Sequence, residues 1–188
     1  MVGKFVNGGG FNGVDDYVTG SDNSSLDFGT GDFTIGAWIK PNQLTVDNAP
    51  PYIFAKNPWA SEVGGGYHLA IKNDGRLYFY LKDSGGTGDV TDSAGNTISW
   101  ATWQHIVAVV DRNDKVRLYI NGIEISSYSR QPSINSISDL DNGESFIIGD
   151  GSSGGGEYYD GLIDEVRIYN RALTSREVRH LYEWAPGP

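Results

Sequence analysis

The chain has 188 residues, and 24 Asp and Glu against 14 Lys and Arg give it a formal charge of −10. This length suits one domain, and a composition of 38% hydrophobic and 12% aromatic residues is enough for a packed core, which excludes global disorder. The acidic balance argues against nucleic acid and anionic membrane surfaces as partners, because both bind clustered Lys and Arg. No apolar run reaches the ~18 residues of a membrane-spanning helix, so membrane insertion is not expected.

The chain has no cysteine and 26 glycines. Disulfides, thiolate metal sites and cysteine nucleophiles are therefore absent, while the cellular compartment stays open. Glycine is about twice as frequent as in average proteins, and most of the acidic residues are Asp, which favours turns over helix interiors. Composition thus predicts a loop-rich β protein.

Short segments of alternating apolar and polar residues, bounded by Gly, Asn or Asp, fill most of the chain, as is typical of an antiparallel sandwich. The predicted strands are 33–40, 67–72, 77–82, 106–111, 116–120, 123–125, 145–149 and 162–169. Asp74-Gly75 and Asn121-Gly122 predict tight hairpins, and 112–115 predicts another. The glycine-rich stretches 83–99 and 151–156 are expected to be surface loops.

One helix is predicted near the C-terminus. Thr174 and Glu177 have the spacing of a capping box, in which a hydroxyl and a carboxylate satisfy amides of the first turn. The apolar face of this helix would consist of Val178, Leu181 and Tyr182. We expect one domain over residues 1–185 and the start of a linker at 186–188.

Six segments occur in the order seen in laminin-G-like domains: 11–18, 25–34, 37–41, 103–107, 118–122 and 161–173. The chain therefore resembles the laminin-G-type branch of the concanavalin A-like lectin/glucanase superfamily over nearly its whole length. The resemblance implies an all-β fold, an antiparallel two-sheet jelly-roll sandwich, here with one short C-terminal helix. Members are commonly sugar-binding or adhesion modules attached to secreted enzymes, and many hold a structural Ca²⁺. Fold resemblance leaves the ligand open.

Asp164 is the most informative acidic residue. Strict alternation puts it on the predicted core face with Leu162, where a carboxylate needs a partner. Related jelly rolls bind Ca²⁺ between such a late Asp and an early loop, and the turn 22–25 offers oxygen ligands. We expect a structural Ca²⁺ with Asp22, Ser25 and Asp164 among its ligands. The alternative is that Asp164 accepts hydrogen bonds from backbone amides.

Aromatic residues share one parity of the hairpin 67–82. Its apolar residues of the other parity face the core, which predicts that His68, Tyr78 and Tyr80 lie on the outer face. Aromatic rings beside hydrogen-bonding side chains suit sugars, which carry C–H groups on their faces and hydroxyls on their rims. The alternative is that the tyrosines only favour strand structure. Trp38 belongs to the family framework and is expected to pack under a covering segment.

Trp59 lies in a polar loop without a periodic partner, so we expect an exposed ring that stacks on ligand. Tyr158, which follows three glycines, is a second candidate for the rim of the site. Its neighbour Tyr159 is expected to be structural.

Catalysis is disfavoured. The glucanases of this superfamily place carboxylates at alternate positions on one face, where nucleophile and acid/base act on one bond. Asp164 and Glu165 are adjacent, so alternation points them to opposite faces. No triad motif, phosphate loop or histidine metal cluster occurs in the sequence.

The sequence thus predicts a non-catalytic module that binds a polysaccharide or oligosaccharide. We expect it to belong to a larger extracellular protein with covalently linked neighbouring domains. The alternatives are a structural or adhesion module that binds protein or decorates a cell or particle surface, and a hydrolase or lyase with an unrecognised site.

Overall fold

The computed structural model describes residues 8–42, 51–56, 65–131, 133–151 and 158–184. In these residues, thirteen strands form two antiparallel sheets, and a single α-helix follows the last strand. The predicted all-β, two-sheet architecture with a short C-terminal helix is confirmed. The expected linker at 186–188 lies outside the described residues.

The first sheet has six strands. In order across the sheet, they are β1 (Gly9–Asn12), β13 (Asp160–Tyr169), β3 (Phe33–Pro41), β8 (Gln104–Val110), β9 (Val116–Ile120) and β10 (Ile123–Glu124). The tight turn between β9 and β10 is confirmed: Asn121 and Gly122 have φ values of 51° and 76°, the left-handed conformations that an Asn-Gly hairpin turn requires.

The second sheet has seven strands. In order across the sheet, they are β11 (Ser127–Ser129), β7 (Gly88–Ser93), β6 (Leu77–Lys82), β5 (Gly66–Ile71), β4 (Tyr52–Lys56), β12 (Phe146–Ile148) and β2 (Val18–Gly20). The expectation of a surface loop over 83–99 is wrong for its middle part, since β7 pairs with both β6 and β11 and is largely buried.

The core lies between the sheets and is rich in aromatic rings. Phe33 of β3 is fully buried and stacks on Phe28 with ring centroids 4.5 Å apart. Across the interface it also contacts Tyr67 and Phe79, at 4.9 and 6.2 Å. Burying an aromatic side chain of this size stabilises a fold by about 1.5–3 kcal/mol, so this cluster clamps the two sheets together.

The helix, α1 (Ser175–Glu183), covers the outer face of the six-stranded sheet. Val178 of the helix packs with Val107, Val109 and Tyr119 of that sheet, and Tyr182 stacks on Trp38 with centroids 5.6 Å apart. The expectation that Trp38 packs under a covering segment is confirmed. Thr174 and Glu177 form the predicted capping box.

A β-bulge interrupts the alternation of β13. Asp164 lies opposite Trp38 and Arg167 opposite Gly36, so two residues of β13 face one residue of β3. Glu165 takes up the extra length with φ at +49°, the left-handed region. Side chains before and after the bulge therefore follow different parities.

Candidate functional site

The outer face of the seven-stranded sheet carries two neighbouring rows of side chains, because residues paired across antiparallel strands project to the same face. One row consists of Tyr52, Ala70, Tyr78, Asp92 and Tyr128. The other consists of Ala55, His68, Tyr80 and Val90. We call the rings of Tyr52, His68, Tyr78, Tyr80 and Tyr128 the aromatic face. The predicted shared parity of His68, Tyr78 and Tyr80 is confirmed.

His68 lies at the centre of this face. Its ring stacks on Tyr80, with centroids 4.9 Å apart and planes 26° apart. It meets Tyr52 edge-on at 4.8 Å and Tyr78 at 5.3 Å in a tilted geometry. The imidazole therefore fixes the positions of three tyrosine rings.

Exposure increases across the sheet toward β11. Tyr52, His68 and Tyr78 are buried, with exposed fractions of 0, 2 and 6%. Tyr80 is half-buried, and Tyr128 is 47% exposed. The expectation that His68 and Tyr78 are exposed is therefore wrong: these rings pack against each other and form the floor of the face. Tyr80 and Tyr128 are its accessible rings.

Charged groups flank the exposed end of the aromatic face. The Lys72 ammonium lies 2.7 Å from the buried Asp92 carboxylate and 4.8 Å from the centre of the Tyr78 ring. The Arg76 guanidinium donates a hydrogen bond to the Tyr128 hydroxyl and lies 3.8 Å from Asp92. These contacts hold Tyr128 close to Lys72 and Arg76, whose partly exposed cationic groups can donate hydrogen bonds to a polar ligand.

Burial keeps His68, Tyr78 and Tyr80 uncharged. It lowers the pKa of His68 to about 3, so the imidazole is neutral at ordinary pH. Burial also raises the pKa of Tyr78 and of Tyr80, so both phenols keep their protons. The rings offer apolar surface and hydroxyl hydrogen bonds rather than acid–base chemistry.

The other two residues predicted to stack on ligand are Trp59 and Tyr158. Trp59 lies outside the described residues, so its role stays a prediction. Tyr158 is half-buried, and the amide of its neighbour Tyr159 donates to the Gly149 carbonyl beyond the end of β12. Strand β12 is three strands from β6, a distance of about 14 Å. The structure therefore does not bring Tyr158 to Tyr80. Tyr159 is structural, as expected, with 1% exposure.

The residues expected to hold Ca²⁺ are not arranged as predicted. Ile163 is the buried residue of this part of β13, so Asp164 and Leu162 do not face the core, and the inward assignment of Asp164 is wrong. Its Oδ1 accepts a hydrogen bond from the Glu165 amide at 2.8 Å. This agrees with the alternative prediction that Asp164 accepts hydrogen bonds from backbone amides.

The early turn already holds a cation of the protein itself. Asp22 Oδ1 lies 2.8 Å from the Lys56 ammonium, while Ser25 is exposed in a 3-10 turn capped by Asn23. Within the described part of the chain, no group of three or more His, Cys, Asp or Glu side chains is placed to hold a metal ion. A structural Ca²⁺ bound by Asp22, Ser25 and Asp164 therefore stays a prediction.

Sequence reasoning missed Tyr52, Asp92 and Tyr128 as members of this face. Tyr52 begins a five-residue strand whose first four residues are apolar without alternation, and Tyr128 stands between serines in a three-residue strand. Neither pattern identifies a face. The pairing of β11 with β7 is what places Tyr128 opposite Asp92.

The concanavalin A-like lectin/glucanases superfamily, in its laminin-G-type model, matches residues 12–179. The chain belongs to this superfamily. Paraclostridial mosquitocidal protein 1 of Paraclostridium bifermentans is 30% identical over 174 residues, which cover 85% of this chain and 13% of that protein. The chain thus spans only a small part of the curated relative that it matches.

Solved structures of binding domains share the fold. The binding domain of Paraclostridial mosquitocidal protein 1 is 26% identical with a TM-score of 0.78, covering 97% of this chain and 44% of that one. The Ruminococcus gnavus IT-sialidase CBM40 bound to α2,3 sialyllactose has a TM-score of 0.65 at 18% identity, covering 94% and 98% of the two chains. The botulinum neurotoxin serotype D ligand binding domain in complex with N-acetylneuraminic acid has a TM-score of 0.69 at 17% identity, covering 93% and 42%.

Among the described residues, no helix combines the length and the apolar character needed to cross a membrane.

Proposed function

We propose that this domain binds an oligosaccharide or polysaccharide at the exposed end of the aromatic face. The observation that carries the proposal is the pair Tyr80 and Tyr128, which are accessible rings beside the charged side chains of Lys72, Arg76 and Asp92. Sugars present C–H faces for ring stacking and hydroxyls for hydrogen bonds, so this mixture suits them.

The two accessible rings are held in place by the protein before any ligand binds. His68 stacks on Tyr80, and the Arg76 guanidinium is hydrogen-bonded to Tyr128, so neither ring has to be ordered by the ligand. Strands β6 and β11 are two strands apart and the two rings belong to adjacent rows, which separates their backbones by about 12 Å. A ligand that contacts both rings is an oligosaccharide rather than a single sugar ring. The contact is shallow, so we expect modest affinity.

The relatives support a glycan as the class of ligand. Structures with this fold include a sialidase CBM40 bound to sialyllactose and a neurotoxin domain in complex with N-acetylneuraminic acid. The chain covers 13% of the mosquitocidal protein and 44% of its binding domain structure, which supports a module with covalently linked neighbouring domains. Toxins and a sialidase as relatives also favour an extracellular protein.

We further propose that the module is not an enzyme. The three similar structures described above are binding domains or modules. The adjacent acids of β13 do not form a pair of facing carboxylates, because Asp164 accepts from a backbone amide and Glu165 forms an ion pair with Arg167. We expect no release of reducing sugar from mixed polysaccharides.

A glycan array that includes sialylated and neutral oligosaccharides, followed by calorimetry with the strongest ligand, tests the proposal. Tyr80→Ala and Tyr128→Ala should each weaken binding by about 1–3 kcal/mol, as for other aromatic anchors. Trp184→Ala is the matched control, because this exposed ring belongs to the end of α1 on the other sheet. Trp59→Ala tests the prediction from the sequence that the Trp59 ring stacks on ligand.

Normal binding by both tyrosine variants would place the ligand elsewhere, and the loops at one end of the sandwich would be the next candidates. An array with no glycan bound would favour a structural or adhesion module instead.

A further inference from the structure

Lys56, the last residue of β4, is a buried lysine with 1% exposure. Its ammonium nitrogen lies 2.8 Å from Asp22 Oδ1 and 3.0 Å from Asp27 Oδ1. It also lies 3.1 Å from Asn142 Oδ1 and 3.1 Å from the Glu144 carbonyl oxygen. We call these four oxygens the Lys56 cage.

The Lys56 cage contains more oxygens than the ammonium has protons to donate, since a lysine carries three N–H groups. Two carboxylates, one amide oxygen and one backbone carbonyl are also the kinds of ligand that a hard cation such as Ca²⁺ takes. The oxygens around Lys56 are therefore those of a cation site, and the cation in this site is the ammonium group of the Lys56 side chain.

Hydrogen bonds to the backbone hold Asn142 in the cage. The Asn142 amide nitrogen donates to the carbonyls of Lys56 and Gly65, at 2.9 and 2.7 Å. Its Oδ1 accepts from the Glu144 amide at 2.9 Å in addition to the ammonium. The Asn142 oxygen is therefore fixed beside Nζ by hydrogen bonds to the backbone.

The surroundings of the cage are negative. Asp22 and Asp27 carry two charges against the one charge of Lys56, and the charges of Asp27 and Asp141 add to burial in raising the pKa of Tyr67. A carboxylate pair held this close is stabilised only with a cation between its members.

We infer that the Lys56 ammonium is the resident cation of this edge of the sandwich, in the early turn for which the sequence pattern predicts Ca²⁺, and that removing it uncovers a latent Ca²⁺ site. This goes beyond the proposed glycan binding and does not depend on it, since Lys56 is separate from the exposed end of the aromatic face.

Thermal unfolding with EDTA and with millimolar CaCl2 tests the inference. At this edge the wild type needs no metal, so its melting temperature should be the same in both solutions. Lys56→Ala should melt at a lower temperature in EDTA, and CaCl2 should raise that temperature in a saturable way. Calorimetry should show Ca²⁺ binding to Lys56→Ala, while Lys56→Ala/Asp27→Asn should bind more weakly. Lys56→Met, which keeps the side-chain bulk without the charge, should be destabilised but gain less from CaCl2.

If Lys56→Ala does not fold in EDTA, refolding in CaCl2 replaces the melting experiment, and recovery only with Ca²⁺ supports the inference. A Lys56→Ala protein that gains nothing from Ca²⁺ in either experiment overturns it. So does a wild type that loses stability on chelation when Asp22→Asn abolishes that loss.

Discussion

The imidazole of His68 stacks on the phenol ring of Tyr80, one strand away, with centroids 4.9 Å apart. The first ring is 2% exposed and the second is half-buried. One contact thus joins the floor of the aromatic face to the ring that a ligand can reach. The floor rings stabilise the fold and the accessible rings contact ligand in the proposed function. Substitutions should therefore affect stability at the floor and binding at the accessible rings.

Tyr78→Ala should destabilise the fold, whereas Tyr128→Ala should not. Tyr78 is 6% exposed and packed among His68, Tyr52 and Val90, so truncation should lower the free energy of unfolding by about 3 kcal/mol or more. Tyr128 is 47% exposed, and its truncation should change that free energy by less than about 0.5 kcal/mol. Urea denaturation measures both. Equal losses would show that the division into floor and accessible rings is wrong.

Stability should fall on acidification because of His68. Burial lowers the pKa of this imidazole from 6.5 to about 3, so between these values the unfolded chain binds a proton that the folded chain does not. The free energy of unfolding therefore decreases as the pH falls from 6.5 toward 3, by up to about 1.4 kcal/mol per pH unit from this residue.

Acidification should also lower the free energy of unfolding through His105, whose pKa is lowered to about 4 by burial and by the charge of Arg167.

Urea denaturation between pH 6.5 and 3 tests the role of His68. The free energy of unfolding should depend less steeply on pH in His68→Phe than in the wild type. His180→Gln, at an exposed position of α1, should keep the wild-type slope. An unchanged slope in His68→Phe would contradict the neutral, buried imidazole.

Glu165 should prefer glycine to alanine. Its φ of +49° is costly for any residue with a Cβ, so Glu165→Gly should be more stable than Glu165→Ala by about 1 kcal/mol. Both variants lose the ion pair with Arg167 equally, so their difference reports the backbone. The same pair of substitutions at Arg167 should show the opposite order, because glycine weakens an ordinary strand position. Chemical denaturation of the four variants checks the sign.

Thr174→Ala should destabilise the helix cover. Thr174 Oγ1 accepts from the Glu177 amide at 3.3 Å, and Glu177 Oε2 accepts from the Thr174 amide at 2.8 Å. Removing the hydroxyl should cost about 1 kcal/mol of folding free energy. Arg176→Ala, an exposed change in the same turn, is the control. The carboxyl of Glu177, bound by Arg171 and Thr174, should also titrate at a pKa of about 2 by NMR.

Several elements of this structure can be predicted from short-range patterns in the sequence. Alternation and Asp-Gly or Asn-Gly turns predict the hairpins β5–β6 and β9–β10, and the Thr174 and Glu177 spacing predicts the start of α1. Each of these features is decided within a few residues of chain, where steric preference and hydrogen bonding act directly.

The failures share one cause, which is information held in another part of the chain. The bulge at Glu165 is a mismatch between β13 and β3, and alternation within β13 alone misplaces Asp164. The burial of His68 and Tyr78 depends on Tyr52 and on further packing outside their hairpin. The ion pair of Asp22 with Lys56 joins residues 34 positions apart, which no pattern within the turn 22–25 reveals.

The helix α1 lies on only one of the two outer surfaces of the sandwich. Tyr182 packs on Trp38, and Val178 packs on Val107 and Val109, so the helix occupies part of that outer surface, and the aromatic face lies on the opposite one. With the proposed glycan site on the aromatic face, each domain attaches to a long glycan through this one surface. Strong retention on a repetitive polysaccharide would then come from several such modules acting together, whose avidity multiplies weak individual contacts.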